Sequence, residues 1–406
     1  MRLRVTAPKT IQQCTIGLPP SKSIANRVLI LSALNGIEPT KVLRQPLGDL
    51  CDDIRVVAEM LLRDDDTVDV CAAGTAMRFG TAYLAVTAGT RTITGTQRLQ
   101  ERPIGILVDA LRSLGATIDY VGKEGFPPLR ITGNQALRGG SLTMNGGVSS
   151  QFISALLMIA PTMQEGLTLK LEGQLVSTPY LYITMELMRQ FGAKVEWTDE
   201  RTIKVAHGYN CNRSADAITI EADWTAASYW YEIASIANLQ PSAFHLQSLV
   251  MDSIQGDKVC DRIFQLLHEQ QTKQEPFVYN FEDCPDLVQT LVVTCCMNAV
   301  PFYFTGLRTL RIKETDRISA LQTELAKMGF VLEATDDSLV WDGTQTPQQP
   351  SFSIATYHDH RMAMAFAPCA IRLGEITIED PDVVSKSYPT YWSDLEKIGF
   401  QLCSIS

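Results

Sequence analysis

The chain has 406 residues, 45% hydrophobic and 20% charged, with a formal net charge of −10. That length exceeds one ordinary core and predicts two domains; the negative charge argues against nucleic acid as a partner, and any small anion must be held by a local pocket of cations against a repulsive overall field. No uninterrupted apolar run reaches membrane-spanning length, the basic opening MRLRVTAPKT lacks the apolar stretch of a signal peptide, and ten scattered cysteines without a CxxC pair read as buried free thiols in a reducing cytoplasm.

In chain order, six predicted helices share one character: a polar or charged opening, then eight to twelve small or apolar residues. They open at Ser21 (SKSIANRVLILSAL), Gly74 (GTAMRFGTAYLAV), Ser149 (SSQFISALLMIA), Asp223 (DWTAASYWYEIAS), Pro285 (PDLVQTLVVTCCM) and His358 (HDHRMAMAFAPCAI). Helices apolar on most sides are buried ones, and Ser, Asp and Gly suit their N-caps. A second, amphipathic set alternates with the first: CDDIRVVAEMLL, RPIGILVDALRSLGATIDY, TPYLYITMELMRQFGAKVEW, CDRIFQLLHE, KETDRISALQTELAKMGFVLE and YWSDLEKIGF. In the fifth, Ile318, Leu321, Leu325 and Met328 form one stripe. Gly115, Gly192 and Gly329 stand where a left-handed residue ends a helix. The chain therefore reads as six copies of one unit, three per domain. Successive buried helices start 53, 75, 74, 62 and 73 residues apart, so about twenty residues are missing from the first copy.

The openings carry the chemistry. A helix start presents unpaired N–H groups to an anion. Here the openings add Lys22, Ser23 and Arg27; Thr75 and Arg78; Arg102; Ser149, Ser150 and Gln151; Lys313 and Arg317; His360 and Arg361; and Lys386. Cations at a helix start oppose the macrodipole at a cost of about a few tenths of a kcal/mol each. Their repetition points to a shared anionic ligand, with arginine giving bidentate contacts. Lys313 and Arg317 would repel at i,i+4 unless both face an anion, and Glu314 between them sits in a positive setting. Each motif also has a plainer reading: SKS as a cap, SSQF as a cap with a first-turn Gln, KETDR as a solvated face. SKSIANR lacks the glycines of a phosphate loop, HDHR lacks a third metal ligand, and no nucleophile elbow or dinucleotide fingerprint is present. What remains is equipment for moving anionic groups with acid–base help and without a covalent intermediate, metal or cofactor.

Taken together in this order, LPPSKSIANR, AGTAMR, ERPIGILVDALRSLGA, VSSQFISALLM, VSTPY, KETDR, YHDHRMAMAF and SKSYPTYW resemble the 5-enolpyruvylshikimate-3-phosphate synthases over nearly the whole chain. The resemblance implies an α/β fold: a two-lobed inside-out α/β barrel, or prism, of six βαβαββ repeats. One lobe is expected at 19–222 and the other at 1–18 plus 223–406, three repeats in each. It implies transfer of the enolpyruvyl group of phosphoenolpyruvate to the 5-hydroxyl of shikimate 3-phosphate through a tetrahedral adduct, in a cytoplasmic, monomeric glyphosate target of aromatic amino acid biosynthesis. Its partners are those two small molecules, with no nucleic acid, membrane, cofactor or metal. By the same resemblance, Lys22, Ser23, Arg27, Ser149, Ser150, Gln151, Ser177, Tyr180, Asp286 and Lys313 hold shikimate 3-phosphate. Lys22, Gly74, Arg102, Gln151, Arg317, Arg361 and Lys386 hold phosphoenolpyruvate. Asp286 acts as base, Glu314 as acid, and Lys22 sits where both substrates meet, although which carboxylate performs which transfer stays open.

The sequence departs from that family at CAAGTAMRFG, where Ala72 replaces an Asn and Phe79-Gly80 replace Pro-Leu. The loss of the Asn side chain is expected to cost about 1 kcal/mol in phosphoenolpyruvate positioning, Phe79 to tilt its helix, and Gly80 to cost about 1 kcal/mol within it. With no room for the usual hairpin and strand before Cys71, the first unit is expected to be strained or open at an edge. Two rivals follow: a degenerate relative that binds shikimate 3-phosphate without turnover, and a UDP-N-acetylglucosamine enolpyruvyl transferase, whose loop cysteine has no match here.

Overall fold

A computed structural model describes residues 1–43, 45–209, 218–271, 273 and 275–405. The chain divides into two compact units, one formed by Met1–Pro20 with Glu221–Ser406 and the other by Ser21–Ile220. In chain order, β1 (Arg2–Thr6) and β2 (Cys14–Gly17) belong to the first unit. The Ser21–Ile220 unit opens with α1 (Lys22–Leu34) and α2 (Asp52–Leu62). It continues through β3 (Thr67–Asp69), α3 (Gly74–Val86), β4 (Thr90–Thr94), α4 (Gly105–Ser113), β5 (Thr117–Tyr120) and β6 (Leu129–Thr132). Then come β7 (Gly140–Asn145), α5 (Ser150–Ile159), β8 (Leu167–Glu172), α6 (Thr178–Gln190), β9 (Ala193–Asp199) and β10 (Thr202–Tyr209). Back in the first unit, α7 (Trp224–Ile236), β11 (Phe244–Gln247), α8 (Cys260–Gln270), β12 (Phe277–Asn280), α9 (Val288–Met297) and β13 (Phe302–Thr305) follow. The chain ends through α10 (Arg317–Lys327), β14 (Glu333–Ala334), β15 (Ser338–Trp341), α11 (His360–Phe366), β16 (Glu375–Glu379), α12 (Tyr391–Lys397) and β17 (Gln401–Ile405).

Three sheets share one design. Their orders are β3-β4-β6-β5, β7-β8-β10-β9 and β12-β13-β15-β14. In each the first two strands run parallel, joined by a helix, and the last two form an antiparallel hairpin. A helix must cross over to return a parallel strand, whereas a short turn closes an antiparallel pair, so βαβαββ gives this order directly. The last sheet achieves the same arrangement with borrowed parts. Ile354 bridges Ile378 of β16 in parallel, and β1, from the other end of the chain, lies antiparallel between β16 and β17.

The twelve helices of seven residues or more among the described residues form six pairs. The first of each pair is buried on most sides: every residue of α9 is buried, as is Ile24–Ser32 of α1. These first helices pack on one another in threes, α1 with α3 and α5, and α7 with α9 and α11. The second of each pair is one-faced; in α10, Ile318, Leu321 and Leu325 point inward. Each such fully buried side chain is worth roughly 1.5–3 kcal/mol. Gly115, Gly192 and Gly329 take φ of 101°, 83° and 92°, the left-handed geometry that ends the preceding helix.

Two helix pairs lack a four-stranded sheet among the described residues. Only four residues separate α2 from β3 and six separate α8 from β12, too few for two strands and a turn. The expected absence of a strand before Cys71 is corrected: β3 is there, three residues long, at the edge of its sheet. The strain is local. Cys71 has φ 49°, a left-handed conformation that costs a non-glycine residue roughly 1–2 kcal/mol. α3 runs uninterrupted through Phe79, whose ring is fully buried. At Gly80 a Cβ would stand 2.6 Å from Met60 Sδ and 2.9 Å from Ile93 Cδ1, so a larger residue there needs those two flexible side chains to move.

Of the cysteines, Cys51, Cys260, Cys284, Cys295, Cys296 and Cys369 are buried thiols. Cys71 and Cys403 are exposed and Cys14 is half-buried, which corrects the expectation of uniform burial. Cys211 lies outside the described residues.

Candidate active site

In the Ser21–Ile220 unit, hydrogen bonds join α1 to the opening of α6 and the opening of α5 to that of α3. Ser21 occupies the N-cap of α1 without capping it through its side chain, and Lys22 begins the helix. Lys22 Nζ contacts Asp53 Oδ2 at 2.9 Å. Asp53 lies in the first turn of α2, where a carboxylate also suits the helix dipole. Arg27, one turn after Ser23, is buried and its guanidinium is held by four neutral acceptors. It donates to Thr184 Oγ1 at 2.7 Å, Ser23 O at 2.8 Å, Ser154 Oγ at 3.2 Å and Tyr180 O at 3.3 Å. Burial pulls its pKa down to about 10, against the opposing effect of Tyr180. A buried cation held by neutral oxygens keeps a net positive field for an anion.

Gly74 begins α3 beneath a second arginine: a Cβ on Gly74 would meet Arg102 Nη1 at 2.7 Å. Arg78 turns back to Gly74 O at 3.3 Å and lies 5.9 Å from the centre of the Phe152 ring. Gln151, in the first turn of α5, donates from Nε2 to Thr75 Oγ1 at 3.1 Å, joining two helix openings. Ser149 caps α5, accepting from Gln151 N, and Ser150 is buried behind it. Ser177 precedes α6 in a left-handed conformation, φ 54°, and its carbonyl accepts from Tyr180 N.

In the other unit, side chains separated by up to 75 residues form one chain of ion pairs. Lys386 Nζ meets Glu314 Oε1 at 2.9 Å, and Glu314 Oε2 meets Arg317 at 3.0 Å. Arg317 meets Asp286 Oδ1 at 3.0 Å, and Asp286 Oδ2 meets Arg361 at 2.9 Å. Asp359, fully buried at the N-cap of α11, braces it from behind. It accepts from Arg317 Nε at 2.7 Å and from the Arg361 backbone N at 3.0 Å. Arg317 is 1% exposed. Burial alone would lower its pKa, but Asp359, Glu314 and Asp286 outweigh that and hold it above the ordinary value. Arg361 is raised in the same way, chiefly by Asp286 against burial. Behind Asp286, the buried Asp257 takes a hydrogen bond from Thr225 Oγ1; burial first, and then the charge of Asp286, raise its pKa.

These placements bring Asp286, Glu314, Arg317, Arg361 and Lys386 together; in the other unit they join Ser23, Arg27 and Tyr180, set Arg102 over Gly74, link Gln151 to the helix opening at Thr75, and pair Lys22 with Asp53. Lys313 sits half-buried just before α10. The like-charge tension between Lys313 and Arg317 is met at Arg317 by three carboxylates rather than left to a ligand. Sequence reasoning missed Asp53, Ser154, Thr184 and Asp359. A signal existed for two of them: Asp53 stands in the first turn of an amphipathic helix, and Asp359 sits two residues before an arginine at a helix start. The pattern can hold two or more anionic groups and offers two carboxylates on one guanidinium for proton transfer. Among the described residues no group of acidic, histidine and cysteine side chains is built to hold a metal ion, and no helix is long and apolar enough to cross a membrane.

The family profile of EPSP synthase (3-phosphoshikimate 1-carboxyvinyltransferase) matches residues 54–395. Two proteins named 3-phosphoshikimate 1-carboxyvinyltransferase, from two strains of Bacteroides fragilis, are each 50% identical over 416 residues, covering 98% of this chain and 98% of theirs. A protein of the same name from a Marinomonas species is 35% identical, covering 93% and 95%. In fold, the chain is similar to EPSP synthase from Acinetobacter baumannii, with a TM-score of 0.72, 18% identity and full coverage of both chains. It is also similar to an enolpyruvyl transferase from Streptomyces tendae, with a TM-score of 0.66, 15% identity and coverage of 99% and 98%. With the family profile covering most of the chain and relatives 50% identical along nearly all of it, this chain belongs to the EPSP synthase family.

Proposed function

We infer that this protein transfers the enolpyruvyl group of phosphoenolpyruvate to the 5-hydroxyl of shikimate 3-phosphate and releases phosphate. The observation that carries the reading is the position of Asp286 and Glu314 on either side of Arg317, 3.0 Å from it in each case. The hydroxyl oxygen adds to C2 of phosphoenolpyruvate while C3 takes a proton, giving a tetrahedral adduct. Loss of a C3 proton with departure of phosphate then restores the double bond. One carboxylate takes the hydroxyl proton and the other serves C3; we assign Asp286 to the first and Glu314 to the second.

In this reading Lys22, Ser23, Arg27, Ser149, Ser150, Gln151, Ser177, Tyr180, Asp286 and Lys313 hold shikimate 3-phosphate. Lys22, Gly74, Arg102, Gln151, Arg317, Arg361 and Lys386 hold phosphoenolpyruvate. The substrate's anionic groups compete for Arg317, Arg361 and Lys386, which Asp286 and Glu314 occupy in their absence. As Lys386 and Arg317 turn to substrate, Glu314 loses the cations that favour its ionised form, and a proton becomes easier to hold there. The two compact units are taken as the lobes of a six-repeat prism, three repeats in each, in a monomeric cytoplasmic enzyme of aromatic amino acid biosynthesis.

The test is phosphate release from the two substrates, with Glu314→Gln beside the wild type. Release that needs both substrates and falls at least a hundredfold in the variant is expected. Calorimetric binding of shikimate 3-phosphate without release would overturn it.

A further inference from the structure

Residues 357 and 358 are consecutive non-glycine residues in the left-handed region, Tyr357 at φ 53° and His358 at φ 56°. Both are exposed, so neither conformation is imposed by packing into the core. They immediately precede Asp359 and Arg361, whose placement completes the ion-pair chain. Strained backbone persists where its surroundings over-determine it, and here the surroundings are specific. Glu324, two turns after Arg317 on α10, is fully buried. Its Oε1 accepts from the Tyr357 hydroxyl at 2.7 Å, and its Oε2 accepts from Ala355 N at 3.1 Å and Lys327 Nζ at 2.6 Å. Lys327 Nζ also donates to Ser353 O at 2.8 Å. The same helix therefore grips the segment before the turn through Glu324 and Lys327, and the residue after it through Arg317 and Asp359. Burial and the Glu324 acceptor push the Tyr357 hydroxyl pKa up to about 12, so it remains a donor at neutral pH.

We propose that Tyr357 is a positioning residue for phosphoenolpyruvate binding: its hydroxyl, seated on Glu324, holds the left-handed pair in the shape that delivers Asp359 and Arg361 to their partners. This rests on the reading of Arg361 as a phosphoenolpyruvate ligand. Without the hydroxyl the turn relaxes toward ordinary backbone, and Arg361 is no longer pre-placed. Shikimate 3-phosphate, held by the residues assigned to it above, is untouched.

The experiment compares wild type, Tyr357→Phe and Tyr357→Phe with His358→Gly. Each is read by the KM for both substrates in phosphate release, and by calorimetric titration of phosphoenolpyruvate alone. Loss of one hydrogen bond to a charged acceptor predicts a rise of about tenfold in KM and Kd for phosphoenolpyruvate. The KM for shikimate 3-phosphate and the Tm should stay near wild type. Glycine adopts positive φ without penalty, so His358→Gly should restore most of the lost affinity. Unchanged phosphoenolpyruvate affinity in Tyr357→Phe, or an equal loss for both substrates with a lowered Tm, overturns the proposal. Wild-type enzyme that binds both ligands without releasing phosphate would count against the proposed reaction, while the titration still decides the role of Tyr357.

Discussion

The guanidinium of Arg27 stands 5.3 Å from the centre of the Phe79 ring. Phe79 is one of the residues at which this sequence departs from the family pattern, and the departure lands on the buried arginine assigned to shikimate 3-phosphate. The aromatic face meets a cation that has only neutral hydrogen-bond acceptors, which is where such a contact is worth most. Phe79→Leu is therefore expected to destabilise the protein by roughly 1–2 kcal/mol. Urea denaturation should show a lower midpoint at unchanged slope. An unmoved midpoint would mean that the ring merely fills space.

At Gly74 the relevant atom is one that is missing. A methyl group would fall 2.7 Å from Arg102 Nη1, closer than contact allows, and the flexible guanidinium is what can yield. Gly74→Ala should leave the fold within about 0.5 kcal/mol of wild type, yet raise the KM for phosphoenolpyruvate by an order of magnitude or so. Steady-state kinetics at fixed shikimate 3-phosphate would show it; an unchanged KM would remove Arg102 from the site.

Asp359 supports two arginines from a fully buried position. Asp359→Asn keeps the shape but withdraws the charge that faces Arg317, leaving a buried cation short of a partner. A loss of about 3–5 kcal/mol is expected, visible as a large drop in Tm. A drop of a degree or less would show that Glu314 and Asp286 suffice.

Glu232 offers a test that pH can read. It is fully buried on α7, both carboxyl oxygens lack a hydrogen-bond partner, and burial raises its pKa well above the ordinary value. The folded protein therefore keeps a proton that the unfolded chain releases above roughly pH 4.3. With the folded pKa the higher one, stability falls as pH rises, by about 1.4 kcal/mol per unit until that pKa is reached. Glu232→Gln is neutral throughout, so its Tm should gain on the wild type between pH 5 and 8. A constant difference between the two across that range would show that Glu232 is ionised in the folded state.

How much of this was legible beforehand depends on the range of the interaction. The starts of α3, α5 and α7 stood out because apolar residues on all sides, with Asp223 and Ser149 as caps, are local signals. So were the glycines that end the amphipathic helices. Arg27 beside Ser23 was visible at a spacing of four. The partnership of Lys22 with Asp53 was not, because it spans 31 residues and depends on how α2 packs on α1. The same holds for Asp359, which joins Arg317 across 42 residues and looked from sequence like a weak metal motif. The left-handed turns at Ser177, Tyr357 and His358 carry no glycine or asparagine to announce them. The hairpin missing from the first copy was legible as a short gap, while β3 was too brief to show a period of two.

The position of β1 sets a schedule for synthesis. Its five residues are synthesised well before β16 and β17, between which they lie and which begin about 370 and 395 residues further along the chain. At about 5–20 residues per second, that segment waits roughly 20 to 80 seconds for both neighbours. The Ser21–Ile220 stretch meanwhile has its whole sequence in hand and can settle early. The nascent chain must therefore keep a short strand with a Leu3 and Val5 face unpaired in the meantime, and the closing of the final sheet is the event that ends its exposure to chaperones and to strand-seeking neighbours.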